Sequence, residues 1–402
     1  MYELYSYIFI TIIATILVIY AYIRIKYGFW YYQPVFHVYN IRYMFSPPGI
    51  IHHELPTENK YTNFKNVETI VYAELVDYKL QRFIHFINAN YLQNKDNVYA
   101  PKSEHVVPYF KGHNTKSFVS FYKEPELISD LKKGTMSNED RVIGAMTSRP
   151  IHVFINKGDK DSVFDAYYVD YLCVDKAYRK KGIAAQIIQT HHYNQRHINK
   201  NIVVSLFKRE DELTGIVPLC VYSTYGFSMR TWHKPSELHA SYKLLEINEK
   251  NYHFLFDFIQ VNLDKFEIII NTEHANIIEL IKSKNIFVYA LMEGDAIKCA
   301  YFYRKTCVFY EKDLEILSCF ASINGYDEDE NNLFIQGFKI SFWKTAEKNY
   351  FGFAVIENIS HNNLIIENLR MKTAPVVVSP TAYFFYNFAY HSFKPNKVLI
   401  LN

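Results

Sequence analysis

Residues 5–23 form the feature that most limits how this chain can fold. The run, YSYIFITIIATILVIYAYI, contains no charged side chain. A helix needs about 20 predominantly apolar residues to cross a bilayer, and this run is long enough. It is too long for the core of a cleaved signal, and no small-x-small cleavage site follows it. Tyr5, Tyr7, Tyr20 and Tyr22 lie near its ends, where aromatic belts sit, and Arg24 and Lys26 follow it while Glu3 precedes it. The excess of basic residues on the C-terminal side places the body of the protein in the cytosol. Residues 1–26 are therefore read as a single-pass transmembrane anchor. The alternative is a β-branched core helix of a soluble domain.

The other bulk properties exclude more than they indicate. The chain has 402 residues, 49% of them hydrophobic and 21% charged, enough for a sizeable core. A formal charge of +3 gives no footing for nucleic acid as a partner. The five cysteines are odd in number and none forms a C-x-x-C pair, so neither a disulfide framework nor a zinc site is expected. The adjacent pairs His52–His53 and His191–His192 are poor chelates, since neighbours diverge on a strand or a helix. No metal is expected.

Apolar periodicity divides the rest into two mixed α/β units. In the first, a helix is expected within 73–91 and a polar loop over 93–117. Strands follow at 142–147, 151–155 and 166–174, then a helix from 182 to about 196 and a strand at 202–207. In the second, helices are expected at 252–262 and 332–348. Strands are expected at 267–271, 287–291, 300–303, 314–321, 353–356 and 383–387, and the chain ends as a strand at 397–401. The fold class is α/β (α+β).

The densest local signal is the stretch from Tyr171 to Ala184. An apolar strand (Leu172, Cys173, Val174) ends, and a basic turn with Arg179, Lys180, Lys181 and Gly182 opens a helix at Ile183. Free amides and the positive end of the helix dipole make such a turn an anion site, and its cations suit a phosphate. Arg-x-x-Gly-x-Ala also fits the pyrophosphate loop of the GNAT acyltransferases. Taken alone, the turn reads equally well as a solvated cap.

The stretch belongs to an ordered set that resembles N-myristoyltransferase. Members of that family carry Asn-Phe-Leu-Cys-Val-His before Leu-Arg-Ser-Lys-Arg-Val-Ala-Pro, matched here by Leu172–Cys173–Val174 and by Arg179, Lys181, Ile183 and Ala184. Their Phe-Trp-x-Thr-Gln-Pro-Val is matched by Phe29, Trp30, Gln33, Pro34 and Val35. Their Tyr-x-Tyr-Asn-Trp and their Lys-Val-x-Leu-x-Leu ending are matched by Phe384, Tyr386, Asn387 and Phe388, then Lys397–Asn402. Weaker matches lie at residues 87–91, Ile143–Gly144 and Trp232–His233. The resemblance runs from about residue 29 to residue 402, in the family's order.

The resemblance implies two tandem GNAT-like domains, 27–245 binding acyl-CoA and 246–402 on the peptide side. Myristoyl-CoA is the implied co-substrate and the N-terminal glycine of a protein the implied acceptor, in a monomeric enzyme. Gly28, Phe29 and Trp30, with residues 172–174 and 179–184, would contact the donor. The amides of Tyr171 and Leu172 would form the oxyanion hole, and the α-carboxylate of Asn402 would take the proton of the acceptor. Two features depart from the family. Its Gly-x-Gly-Asp-Gly segment is replaced by residues 375–379 (PVVVS), and its acidic loop is reduced to residues 93–97 with one acid. Tyr222-x-x-Tyr225-Gly226-Phe227 resembles a motif of single-domain acetyltransferases. Another acyl donor or amine acceptor, or a binding protein without turnover, remains an alternative reading.

Overall fold

The structure, a computed structural model, describes residues 2–92, 97–130, 135–156, 162–210, 215–311, 313–326 and 331–402. The chain opens with α1 (Tyr2–Tyr27), α2 (Ile41–Phe45) and β1 (Gly49–Ile50). Within α1, the 24 residues Leu4–Tyr27 contain an 18-residue window with a mean hydropathy of 2.3 and none of it buried, so α1 is long and apolar enough to cross a membrane. The first half then runs β2 (Val67–Val71), α3 (Asp77–Asn90), β3 (Asn97–Tyr99), α4 (Ser103–Val106), β4 (Phe118–Asp130), β5 (Thr135–Ile155), β6 (Ser162–Val174), α5 (Ile183–Ile198), β7 (Val204–Glu210), β8 (Cys220–Ser228) and β9 (Tyr242–Glu246). The second half runs α6 (Tyr252–Val261), β10 (Ile268–Asn271), α7 (His274–Lys282), β11 (Ile286–Glu293), β12 (Ala296–Tyr310), β13 (Leu314–Asn324), α8 (Asn331–Asn349), β14 (Phe353–Glu357), α9 (Asn362–Arg370), β15 (Val377–Tyr386), β16 (Phe388–Ala389) and β17 (Val398–Leu401).

One sheet carries nearly all the strands, in the order β17-β10-β5-β6-β7-β15-β8-β14-β13-β12-β11-β9. The α/β class expected from the sequence holds. The two halves interleave: β15 lies between β7 and β8, and β8 lies between β15 and β14. A boundary near residue 245 is thus one of chain order, while the sheet crosses it several times.

The sequence predicts two strands around Pro150, and the structure has one, β5. Its edge explains why. β5 pairs with β4 as far as Ser148 and with β10 only from His152. Pro150 falls in the gap between these partners, where its missing N–H leaves no ladder bond unmade.

Helix α5 packs Ile183 and Ile187, one turn apart, against β5. The approach is close enough that a Cβ on Gly144 would lie 2.5 Å from Ile187 Cδ1. On the opposite half, α8 is seated by two tyrosines of β12. The Tyr301 hydroxyl donates to the Phe334 carbonyl at 2.6 Å, and Tyr303 shares a hydrogen bond with Ser341 at 2.6 Å.

Candidate active site

β6 and β7 are parallel and pair only from Ala166–Val204 to Val169–Phe207. Beyond that point they diverge. A cavity of about 510 Å³ opens there, with Asp170, Tyr171 and Leu172 on the β6 side and Lys208, Arg209 and Glu210 on the β7 side. Trp30 and α5 residues complete the wall.

The β6 side is irregular at the place where the sequence reading put the oxyanion hole. Thr147 pairs with Asp170 and Ala145 with Cys173, so Met146 alone faces both Tyr171 and Leu172. This is a β-bulge, which leaves an extra residue outside the regular ladder. Tyr171 has φ of +53°, a left-handed conformation that is strained for a bulky residue. Its amide donates to Asp170 Oδ1 at 2.8 Å, so it is already engaged.

The remaining predicted residues divide into those that face the cavity and those that hold its frame. Trp30 stacks on Phe207, which stacks on Phe384, with centroid distances of 5.7 and 5.3 Å. Phe29 meets Trp30 and Tyr61 edge-on, and Gly28, with φ of +48°, ends α1. Gly182 is left-handed (φ +76°) and caps α5, with Lys180 also at positive φ. Ile183 is buried and Ala184 packs beside it. Arg179 is exposed and already engaged with two carbonyls. Its Nε donates to the Val174 carbonyl and its Nη2 to the Asn90 carbonyl, at 3.1 and 3.2 Å, so it braces the turn. Cys173 and Val174 are buried, and burial pushes the Cys173 thiol up to about 12, which leaves it no nucleophilic role.

The Gln33 and Asn387 motif residues clamp the two chain ends together. Tyr386 donates its hydroxyl to Gln33 Oε1 at 2.6 Å. Asn387, at φ +64°, accepts from the His52 amide and donates to the carbonyls of His52 and Val203. Tyr386 lines the cavity, whereas Gln33 and Asn387 hold its frame from outside.

His191 on α5 also lines the cavity. Nδ1 lies 2.8 Å from the Ser120 hydroxyl and Nε2 lies 2.8 Å from that of Ser148. Ser148 donates to Gln195 Oε1, so the ring donates from Nε2. Burial lowers its pKa from 6.5 to about 4. The unfolded chain then binds the proton first as pH falls. Stability is full above about 6.5 and declines toward pH 4, with His191 alone removing about 2–3 kcal/mol by pH 4.5. Urea unfolding at pH 7 and 4.5 should show this decline, reduced in His191→Gln. A stability unchanged over that interval would contradict a neutral buried ring.

No protein-family profile matches the sequence. A protein of Amsacta moorei entomopoxvirus, named as a candidate glycylpeptide N-tetradecanoyltransferase, is 22% identical over 222 residues, covering 51% of this chain and 72% of that protein. Saccharomyces cerevisiae N-myristoyltransferase with bound myristoyl-CoA superposes with a TM-score of 0.69 at 13% identity, over 92% of this chain and 91% of that one. A second structure of the yeast enzyme with bound myristoyl-CoA gives 0.66, with 92% and 94% covered. The chain has the N-myristoyltransferase fold. The resemblance carried by Trp30, Leu172–Val174, Tyr386–Asn387 and the C-terminal strand is borne out, in a divergent sequence.

Within the N-myristoyltransferase fold, two segments differ from the family pattern. Residues 375–379 lead into β15, and Val376, Val377 and Val378 are exposed. Residues 93–96 of the reduced acidic loop lie outside the described residues. The chain end is held: β17 pairs in parallel with β10, and Asn402 is buried. Arg304 of β12 donates to the terminal oxygen of Asn402, and Asn402 lines a narrow cleft with Phe302 and Phe320 instead of the cavity.

Sequence reasoning missed the charges between these places. Arg149 is buried, sits over the rings of Tyr109 and Tyr168 at 4.8 Å, and lies 3.6 Å from Asp170. Lys208 pairs with Glu357 at 3.0 Å, and Tyr222 donates to the same carboxylate. Their one signal in the sequence is a lone charge inside an apolar strand. Among the described residues, no three His, Cys, Asp or Glu side chains gather as a metal set.

Proposed function

We propose that the chain is an acyltransferase that takes a fatty acyl group from acyl-CoA, with myristoyl-CoA as the expected donor, and passes it to the N-terminal glycine amine of a protein. The observation that carries this reading is the cavity at the divergence of β6 and β7, opening beside the bulge at Tyr171–Leu172 in a fold shared with an enzyme that binds myristoyl-CoA. The amides of the α5 N-terminus and the cations Lys180 and Lys181 suit the donor's phosphates. The apolar wall of Trp30, Met146 and Phe207 suits its acyl chain. The bulge supports the oxyanion role, with Leu172 as one donor and Tyr171 as the other once Asp170 releases its amide. Two carboxylates are candidates for taking the acceptor's proton. One is the terminus of Asn402, as the resemblance implies, and the other is Asp170. Residues 27–245 serve as the donor side and 246–402 as the acceptor side.

We place α1 in a bilayer, with the body on the side of Arg24 and Lys26 and therefore cytosolic. Donor and product both partition into membranes, so an anchored enzyme meets its substrates there. The replacement of the family's glycine-rich segment by exposed valines supports an acceptor sequence unlike that of the relatives.

The test is calorimetry and turnover on the full chain in detergent, with myristoyl-CoA and acetyl-CoA and a pool of glycine-starting peptides. Tight binding of myristoyl-CoA with acylated peptide by mass spectrometry is expected, and Trp30→Ala should weaken donor binding about tenfold through the loss of one buried aromatic contact. Use of acetyl-CoA alone would leave the fold and overturn the donor. Binding without acylation of any peptide would make the chain an acyl-CoA-binding protein.

A further inference from the structure

The sequence motif that names the family has Asn where this chain has Asp170. An amide cannot accept a proton from an ammonium group, whereas a carboxylate can. Asp170 stands on the cavity wall next to the bulge, with 23% of its side chain accessible. Its two oxygens are used differently. Oδ1 accepts from the Tyr171 amide at 2.8 Å and from the Tyr91 hydroxyl at 3.1 Å. Oδ2 faces Arg149 Nη1 at 3.6 Å, beyond hydrogen-bond distance, and accepts no hydrogen bond among the described residues. One oxygen thus fixes the carboxylate, and the other is open to a ligand.

The terminal carboxylate is in the opposite situation. It is buried, it accepts from Arg304, and it lines a separate narrow cleft. It therefore lies outside the cavity that Asp170 lines, and its bonded oxygen is already engaged.

We propose that Asp170, and not the carboxylate of Asn402, takes the proton of the acceptor amine in this chain. The inference rests on the acyl-transfer reading above. The acceptor arrives as an ammonium and is bound through Asp170 Oδ2. One proton passes from nitrogen to Oδ2, leaving a neutral amine. The amine attacks the thioester carbonyl carbon, a C–N bond forms and the C–S bond breaks. The departing thiolate of coenzyme A takes the second proton from nitrogen, and Asp170 later returns its proton to water. The same step prepares the oxyanion hole. A hydrogen bond to an ionised acceptor is about twice as strong as one to a neutral acceptor, so protonated Asp170 loosens its hold on the Tyr171 amide. That amide becomes available as negative charge develops on the carbonyl oxygen. Proton removal and oxyanion binding are coupled through one side chain.

The experiment compares the full-length wild type, Asp170→Asn and Asp170→Glu, with folding checked by thermal melting. Myristoyl-CoA affinity is read by calorimetry and acylation by single-turnover kinetics. The expected result is a loss of at least about 100-fold in the acylation rate for Asp170→Asn, the scale of a lost general base. Donor affinity should stay within threefold, and part of the rate should return in Asp170→Glu. Acylation that survives Asp170→Asn but stops when one residue is appended after Asn402 would return the proton to the terminal carboxylate and leave the acyl-transfer reading standing. A wild type that neither binds myristoyl-CoA nor acylates any amine would remove that reading, and this proposal with it.

Discussion

Replacing Glu357 by alanine is expected to destabilise the protein by about 3–5 kcal/mol, the range for removing one partner of a buried ion pair. Glu357 is at the end of β14 and keeps 7% of its side chain exposed, while Lys208 on β7 keeps 19%. Burial alone would push the Glu357 carboxyl up, but Lys208 and the Tyr222 hydroxyl hold it below its usual value. Burial likewise works against the Lys208 charge, and Glu357 more than reverses that, keeping the amine above its usual value. The pair is therefore ionised, and each charge depends on the other. Glu357→Ala leaves the ammonium with Glu210, at 3.7 Å, as its remaining carboxylate, and leaves the Tyr222 hydroxyl without its acceptor. Because β7, β15, β8 and β14 interleave here, the damage falls where the two halves of the chain hold each other. Urea unfolding measures it. Glu357→Gln should cost less, since its amide oxygen still accepts from Tyr222. The double change Lys208→Met with Glu357→Leu should recover most of the loss, because well-packed apolar residues replace buried ion pairs at little penalty. A loss below about 1 kcal/mol for Glu357→Ala would mean the pair is solvated and not a buried linchpin.

These pairs show where the sequence stops being informative. α5 was legible because Ile183 and Ile187 repeat at helical spacing after a left-handed Gly182. β6 was legible as a run of β-branched and aromatic residues. β4 escaped notice although Phe118, Val119, Phe121 and Tyr122 are all buried, because a strand covered on both faces has no alternation to read. α7 and α9, at nine residues each, are too short for periodicity to stand out. The interleaving of β7, β15, β8 and β14 has no local signature, since register between distant strands is set by packing. In the site, the motif residues Trp30, Tyr171 and Leu172 line the cavity. Arg179 was expected to meet phosphate on charge alone, but its reach to the Val174 and Asn90 carbonyls depends on how the turn folds back. Asp170 was passed over because its partner Arg149 comes from a neighbouring strand, and only the sheet brings the two together.

Arg304→Ala is expected to act on the chain end, with a loss of about 3–5 kcal/mol if the terminus stays buried. Arg304 projects from β12, and its guanidinium lies 4.3 Å from the Phe320 ring centre and bonds the terminal oxygen of Asn402. Burial opposes its charge, but Tyr109, Glu357 and Tyr383 around it hold the guanidinium firmly protonated. Without it, the carboxylate of Asn402 would sit 4% exposed with no cation beside it among the described residues. β17 is tied to the sheet through β10 alone, over Val398–Leu401. The strand therefore has a way out: its last residues can peel from β10 and carry the charge to water, at the loss of the apolar contacts of Leu399, Ile400 and Leu401. Hydrogen exchange on the amides of 398–401 distinguishes the two responses, with global unfolding followed in urea. Local loss of protection there, with a smaller global loss, is the outcome we expect, because it avoids leaving a buried charge unpaired. Arg304→Lys should fall between the wild type and alanine, since an ammonium keeps the charge but not the planar guanidinium whose Nη2 donates to both the terminal oxygen and the Asn402 side chain. Donor affinity should be unchanged in both variants, because Arg304 and Asn402 lie outside the cavity. Full protection of 398–401 in Arg304→Ala would show that the strand holds the terminus without the arginine.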